Sequence, residues 1–330
     1  MTKPRLLILS LGGTITMLPG DAGGLTPTLG ASDLVASVPA LAEVAEIEAR
    51  SLFRLPSPSL AIADVLEVAR GVEAGFASGT DGAVVIQGTD TIEETAFLLD
   101  LLVAGDKPVV VVGAMRGADA PGADGPANLL AAARVAACPD ARGQGTLVVL
   151  NYDIHAARFV QKSHTTLPSA FDSPGCGPLG VVAEGRPRFH ARVSRLPAWP
   201  AGDGAPPPVA LIKWAMGDDG RMLAALPDLG YRGVVIEGMG AGHVPAGAAP
   251  AVGALAARLP VVLASRVIAG PVFTRTYAYP GSEVDLLQRG AVPAGMLSGL
   301  KARLLLGLAL RRPLPPGEVG AVQAAFGPYQ

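Results

Sequence analysis

Charge, aromatic rings, sulfur and lysine are all scarce in this chain, and each shortage closes off a class of protein. Only 16% of its 330 residues are charged, and 26 Lys+Arg nearly balance 28 Asp+Glu for a net charge of −2. That balance offers no field to draw in nucleic acid or an anionic membrane surface. A chain that is 50% hydrophobic with so few charges is not built for disorder. Two cysteines, Cys138 and Cys176, permit at most one disulfide and no metal site of paired thiols. No apolar run approaches the roughly 20 residues that span a bilayer. The apolar stretch after Met1-Thr2-Lys3-Pro4-Arg5 is short for a signal-peptide core and ends in Gly12-Gly13-Thr14, not in a cleavage site. A cytoplasmic protein is expected. Arginine carries most of the positive charge, and the five lysines are Lys3, Lys107, Lys162, Lys213 and Lys301. Each is a candidate for a task that needs an amine, against the plainer reading of a surface lysine.

What is present is an alternation of strand and helix, which predicts an α/β fold. Strands are expected at residues 5–10, 83–87, 108–112 and 146–150, with helices at 61–74, 91–103 and 128–137. The strand runs are apolar throughout, as in strands covered on both faces. Residues 197–208 read PAWPAGDGAPPP and predict a linker. Beyond it the alternation resumes, with strands at 209–214, 232–237 and 261–264 and helices at 248–258 and 294–309. The expectation is two α/β domains: a larger N-terminal doubly wound sheet over 1–196 and a smaller C-terminal parallel-sheet domain over 209–330.

Three segments could carry chemistry. Leu11-Gly12-Gly13-Thr14-Ile15-Thr16 follows a strand, so its glycines allow a sharp turn and Thr14 would present a hydroxyl at the carboxyl end of the sheet. It lacks the third glycine of a dinucleotide fingerprint and the Gly-Lys pair of a P-loop. Gln87-Gly88-Thr89-Asp90-Thr91 lies between strand and helix, and Thr91 and Glu94 have capping-box spacing. The helix start offers N–H groups suited to a carboxylate or an oxyanion, Thr89 a hydroxyl, and Asp90 a carboxylate able to hold an amine. In the third segment a sheltered Lys162 could act as a neutral amine base, giving a hydroxyl–amine–carboxylate relay of Thr89, Lys162 and Asp90. His164 is the other base there, although a lone histidine is more often structural.

These segments, in this order, resemble the L-asparaginase family, including the asparaginase-glutaminases. Gly12–Ile15 matches its Gly-Gly-Thr-Ile turn. Gln87-Gly88-Thr89-Asp90-Thr91-Ile92-Glu93-Glu94-Thr95-Ala96 matches its second signature, and Lys162 follows at the family's distance. The likeness continues through Gly113-Ala114-Met115-Arg116, 123–129, Gly177–Gly180, 238–243, 265–267, Gly281-Ser282-Glu283 and Lys301-Ala302-Arg303. The resemblance implies hydrolysis of L-asparagine to L-aspartate and ammonia, with weaker or no glutaminase activity. Thr14 would be the nucleophile, and Thr89, Lys162 and Asp90 the second catalytic group. Asp90 would also bind the substrate amino group, and Ser57 the α-carboxylate. It implies no metal or cofactor, and a homodimer or homotetramer whose sites are shared, with Glu283 as the acid supplied by the partner. Neither nucleic acid nor membrane is an expected partner.

Three positions depart from the family. Gln87 stands for its usual histidine. Pro58 follows Ser57 where many members have a glutamine. The segment 18–28 lacks a tyrosine: Leu25 occupies the place, and Thr16, Tyr277 and Tyr279 are candidates to replace it. Two rival readings are the amide-releasing subunit of a tRNA-dependent amidotransferase and a non-catalytic small-molecule sensor on the same fold.

Overall fold

A computed structural model describes residues 2–19, 24–199, 206–311 and 319–330; the side chains of residues 18, 19 and 25–27 are not among what it describes. The chain divides into two compact units, residues 1–203 and 204–330. Half of the expected linker, residues 200–205, falls outside the described residues. The Trp199 amide donates to the Leu101 carbonyl in the first unit, and Pro206 packs beside Gly307 in the second.

Among the described residues the first unit holds twelve strands, β1 (Arg5–Ser10), β2 (Met17–Pro19), β3 (Leu25–Pro27), β4 (Glu46–Ser51), β5 (Gly82–Ile86), β6 (Val109–Val112), β7 (Thr146–Leu150), β8 (Asp153–Ala156), β9 (Gln161–Lys162), β10 (Phe171–Asp172), β11 (Gly180–Ala183) and β12 (Arg186–Phe189). Its main sheet has the order β12-β11-β8-β7-β6-β5-β1-β4. Pairing is parallel from β4 to β7 and antiparallel from β7 to β12. β5, β6 and β7 are buried along their whole length, as their unbroken apolar runs predict.

The helices that cover this sheet are α1 (Ala31–Ala36), α2 (Leu41–Val44), α3 (Ile62–Ala77), α4 (Ile92–Leu102) and α5 (Gly125–Ala136). Alternate strand residues face opposite ways. Leu6, Ile8, Val84, Ile86, Val110 and Val112 join a core with Leu34, Leu41, Leu129 and Val135 from α1, α2 and α5. On the other side, Gly71 and Gly75 of α3 lie against Leu9 and Leu7. β1 sits between β4 and β5: from β1 the chain moves outward to β4, and from β5 it moves the opposite way to β6. The carboxyl ends of β1, β4 and β5 therefore meet at a topological switch point, where open α/β sheets gather their ligand-binding loops.

The second unit carries an all-parallel sheet ordered β13 (Val209–Lys213), β14 (Gly233–Gly238), β15 (Val261–Ser265) and β16 (Val292–Pro293). Its helices are α6 (Ala249–Ala256), α7 (Glu283–Gln288), α8 (Gly299–Ala309) and α9 (Gly320–Phe326). Trp214, Ile236, Val252, Leu263 and Leu286 form one core, while Leu306 and Leu310 lie against Gly233. The final long helix begins at Gly299, five positions after the expected start. The reason is local: Ala294 donates to Leu263 in the sheet and Gly295 takes a φ of 62°.

Candidate active site

Three loops at the switch point are stacked on one another by close glycine contacts. After β1, Gly12 and Gly13 take φ values of 107° and 94°, open to glycine at little cost. A Cβ on Gly13 would lie 2.0 Å from the Gly88 nitrogen, and one on Gly88 would lie 2.7 Å from the Ser57 Oγ. Only bare backbone lets the Gly13 loop rest on Gly88 and Gly88 rest on Ser57. Thr14 opens the short 3-10 turn Thr14–Thr16 and is half-buried, and its hydroxyl makes no hydrogen bond to a described residue. Thr16 is fully buried and its hydroxyl donates to the Gly13 carbonyl at 2.7 Å, so it serves the turn.

The second loop runs through the 3-10 turn Thr89–Thr91 into α4. Thr91 occupies the N-cap, but its side chain makes no capping bond, so the expected capping box with Glu94 does not form. The Thr91 hydroxyl instead donates to the Ser57 carbonyl at 3.2 Å and accepts from Gln87 Nε2 at 3.2 Å. Ser57, in the 3-10 turn Ser57–Ser59, is buried, and its Oγ accepts from the Asp90 amide at 3.2 Å.

Lys162 arrives from β9. Its amide donates to Glu93 Oε1 at 3.2 Å, tying the strand to the first turn of α4. Its Nζ donates to Thr89 Oγ1 at 2.9 Å and to Asp90 Oδ1 at 2.6 Å. The Lys162 side chain is 16% exposed and that of Asp90 is 58% exposed, so a sheltered amine meets an open carboxylate. Asp90, Glu93, Lys162, Ser163, His164 and Thr165 line an open cleft of about 520 Å³. His164 Nδ1 accepts from the Thr166 and Leu167 amides at 3.0 and 3.2 Å, which makes that ring nitrogen a turn anchor. Among the described residues no group of three or more His, Cys, Asp or Glu could hold a metal ion, and no helix is long and apolar enough to cross a membrane.

Comparison with known families matches residues 5–195 to the model described as "Asparaginase, N-terminal" and residues 208–322 to the "Glutaminase/Asparaginase C-terminal domain". The chain belongs to the asparaginase family. It is 39% identical to a Deinococcus radiodurans protein described as "Probable L-asparaginase", over 92% of each chain. It is 32% identical, with a TM-score of 0.88, to the crystal structure of a "Probable Cytoplasmic L-asparaginase" from Campylobacter jejuni, covering 98% of this chain and 99% of that one. One component of the Glutamyl-tRNA(Gln) amidotransferase of Methanosarcina barkeri is 31% identical, over 88% of this chain and 70% of that component.

Glu283, expected from the asparaginase pattern to reach a neighbouring subunit's site, is enclosed within its own unit in the single chain. Its Oε1 accepts from the Thr276 and Tyr277 amides at 3.0 and 2.7 Å, and its Oε2 lies 3.1 Å from His243 Nε2. Burial pushes this carboxyl up. Donation from Tyr277, its own amide, Thr276 and His243 outweighs that and holds it below the ordinary glutamate range. A carboxylate so placed organises the loop that carries Thr276 and Tyr277. In that loop Tyr279 OH lies 2.9 Å from His243 Nδ1, and Tyr277 meets the same ring edge-on at 5.1 Å. Leu25 lies in β3, its side chain outside the described residues. Sequence reasoning gave no role to Glu93 or His243, and named Gln87 only as a departure from the family's histidine. The doubled glutamate of the Glu93-Glu94 pair was the one available signal.

Proposed function

We propose that the protein hydrolyses L-asparagine to L-aspartate and ammonia with Thr14 as nucleophile, and with Thr89, Lys162 and Asp90 handling protons and substrate. The observation that carries this reading is the Lys162 amine held between the Thr89 hydroxyl and the Asp90 carboxylate at 2.9 and 2.6 Å. In the first half-reaction the Thr14 oxygen bonds to the carboxamide carbon, the C–N bond breaks, and the Thr14 proton leaves with ammonia. In the second, water attacks the ester. Its proton passes through Thr89 toward the Lys162 amine and on to the departing Thr14 oxygen. Lys162 engages Asp90 Oδ1, which leaves Oδ2 for the substrate ammonium. Ser57 accepts from the Asp90 amide and keeps its own proton to donate to the α-carboxylate. No metal or cofactor enters these steps.

Glutamine is the weaker substrate in this reading. Its extra methylene displaces one end of the molecule, and a misplacement of about 1 Å can cost on the order of 100-fold. Pro58 provides no side-chain donor or acceptor to correct it. We assign the protein to the cytoplasm and to a homodimer or homotetramer with shared active sites, without nucleic-acid or membrane partners.

Ammonia release from L-asparagine, L-glutamine, D-asparagine and a β-aspartyl amide tests the reading, with Thr14→Ala beside the wild type. L-asparagine should have the highest kcat/KM, and Thr14→Ala should lose several orders of magnitude of turnover while keeping its fold. Comparable constants for asparagine and glutamine would overturn the selectivity and favour an amidotransferase-type glutaminase. Binding without turnover would favour a sensor. Activity above roughly a tenth of wild type in Thr14→Ala would remove Thr14 as nucleophile.

A further inference from the structure

Gln87 is fully buried just after β5, although glutamine is mostly an exposed residue. Its carboxamide nitrogen donates twice, to the Gly88 carbonyl and to Thr91 Oγ1, each at 3.2 Å. Its carbonyl oxygen Oε1 is buried and meets no donor among the described residues. The two N–H groups are therefore what this side chain contributes. The nitrogen is fixed by chemistry: the Gly88 carbonyl can only accept, so the amide cannot be turned end for end without losing that bond.

The bond to Thr91 begins a chain that ends at Ser57. Accepting from Gln87 leaves the Thr91 hydroxyl proton for the Ser57 carbonyl, at 3.2 Å. That hydroxyl has one proton, and without Gln87 nothing described directs it. Ser57 is held a second time through its Oγ, by the Asp90 amide. Backbone from one side and side chain from the other thus set the direction in which the Ser57 proton is free to donate. Gly88, carrying the other Gln87 bond, is the residue against which Ser57 packs.

We propose that Gln87 is a positioning residue for substrate binding: through Thr91 it orients the Ser57 hydroxyl toward the substrate α-carboxylate. This rests on the functional reading given above for Ser57. The Thr89, Lys162 and Asp90 side chains have no bond to the Gln87 amide, so the relay acts on binding and leaves the chemical step alone.

Steady-state kinetics on L-asparagine with the intact protein test this through a double-mutant cycle. Gln87→Leu and Thr91→Val each break one link, and each should raise KM about fivefold to tenfold, the scale of one hydrogen bond, with kcat held within about twofold. The double variant should show no more than either single change, because both cut one chain. Gln87→His keeps an N–H donor and should return KM to within about threefold of wild type. Thermal melting of each variant verifies folding. KM effects that multiply toward a hundredfold in the double variant would overturn the relay. So would an unchanged KM in Gln87→Leu where Ser57→Ala raises it. Failure of the underlying functional reading looks different: wild type inactive on asparagine, or Ser57→Ala without effect on KM.

Discussion

Lys162 shows best how residue type and position divide the work. The other lysines are accounted for without chemistry, where their bonds are described. Lys3 donates to the Ala42 carbonyl, Lys107 to the carbonyls of Phe76 and Thr80, and Lys213 stands 3.8 Å from Glu237 on the surface. Lys162 alone of these meets a hydroxyl and a carboxylate together, and an amine can lose its proton where a guanidinium cannot. Lys162→Arg should therefore lose roughly 10²- to 10⁴-fold in turnover, the usual contribution of a positioned base. Lys162→Met should be equally inactive, and both should bind L-aspartate in calorimetry with little change. Near-normal turnover in the arginine variant would end the amine-base assignment. Thr89, Asp90 and Lys162, which the structure brings together, were singled out by the resemblance to the asparaginase pattern, since a threonine-aspartate pair at a helix start and a rare lysine are weak signals alone. Glu93 was not: it accepts from an amide 69 residues away, and local sequence carries no trace of such a partner.

Elements were legible in proportion to their burial. β5, β6 and β7 present unbroken apolar runs, and those runs are their burial pattern. β4 at the sheet edge reads Glu-Ile-Glu-Ala-Arg-Ser, and β12 reads Arg-Pro-Arg-Phe; neither shows an apolar run, because neither is enclosed on both faces. The hairpin β2–β3 and the pair β9–β10 are two or three residues long, too short for any periodicity. The glycine-rich loop was visible, but the reason for its second glycine was not, since Gly88 lies 75 positions on. That glycine gives a direct test of how the loops are assembled. Gly13→Ala would place a methyl 2.0 Å from the Gly88 nitrogen and impose a φ of 94° on alanine. Turnover should fall at least about 100-fold, as displaced reacting groups do, and the melting temperature should drop by several degrees. A variant that melts and turns over like the wild type would show that the two loops need not touch.

At the scale of the whole molecule, the enclosed Glu283 changes what a shared site would require. The stretch 266–280 above it exposes Val267, Ile268, Phe273, Tyr277 and Tyr279, an apolar surface of the kind that marks an interface. Its inner edge is held by Glu283 through the Thr276 and Tyr277 amides, and by the Ser282 hydroxyl donating to the Tyr277 carbonyl at 2.7 Å. Glu283 therefore holds that stretch from beneath the surface. Its carboxyl is held below the ordinary glutamate range in the folded chain, so the unfolded chain binds its proton first as pH falls. The stability it contributes is full above the ordinary glutamate pKa and disappears as pH falls through the folded value. Glu283→Gln should accordingly melt lower than wild type at pH 7, and the two should converge in acid; a constant gap would separate the effect from ionisation. Sedimentation at pH 7 should show weaker assembly and lower activity for the variant. Mixing decides whether sites are shared. Glu283→Gln chains keep Thr14 but lose the ordered loop, whereas Thr14→Ala chains keep the loop but lose the nucleophile. Co-assembled, they should recover activity absent from either alone, because some sites would combine an intact Thr14 with an intact loop from the partner. No recovery in verified mixed oligomers would mean that each chain completes its own site.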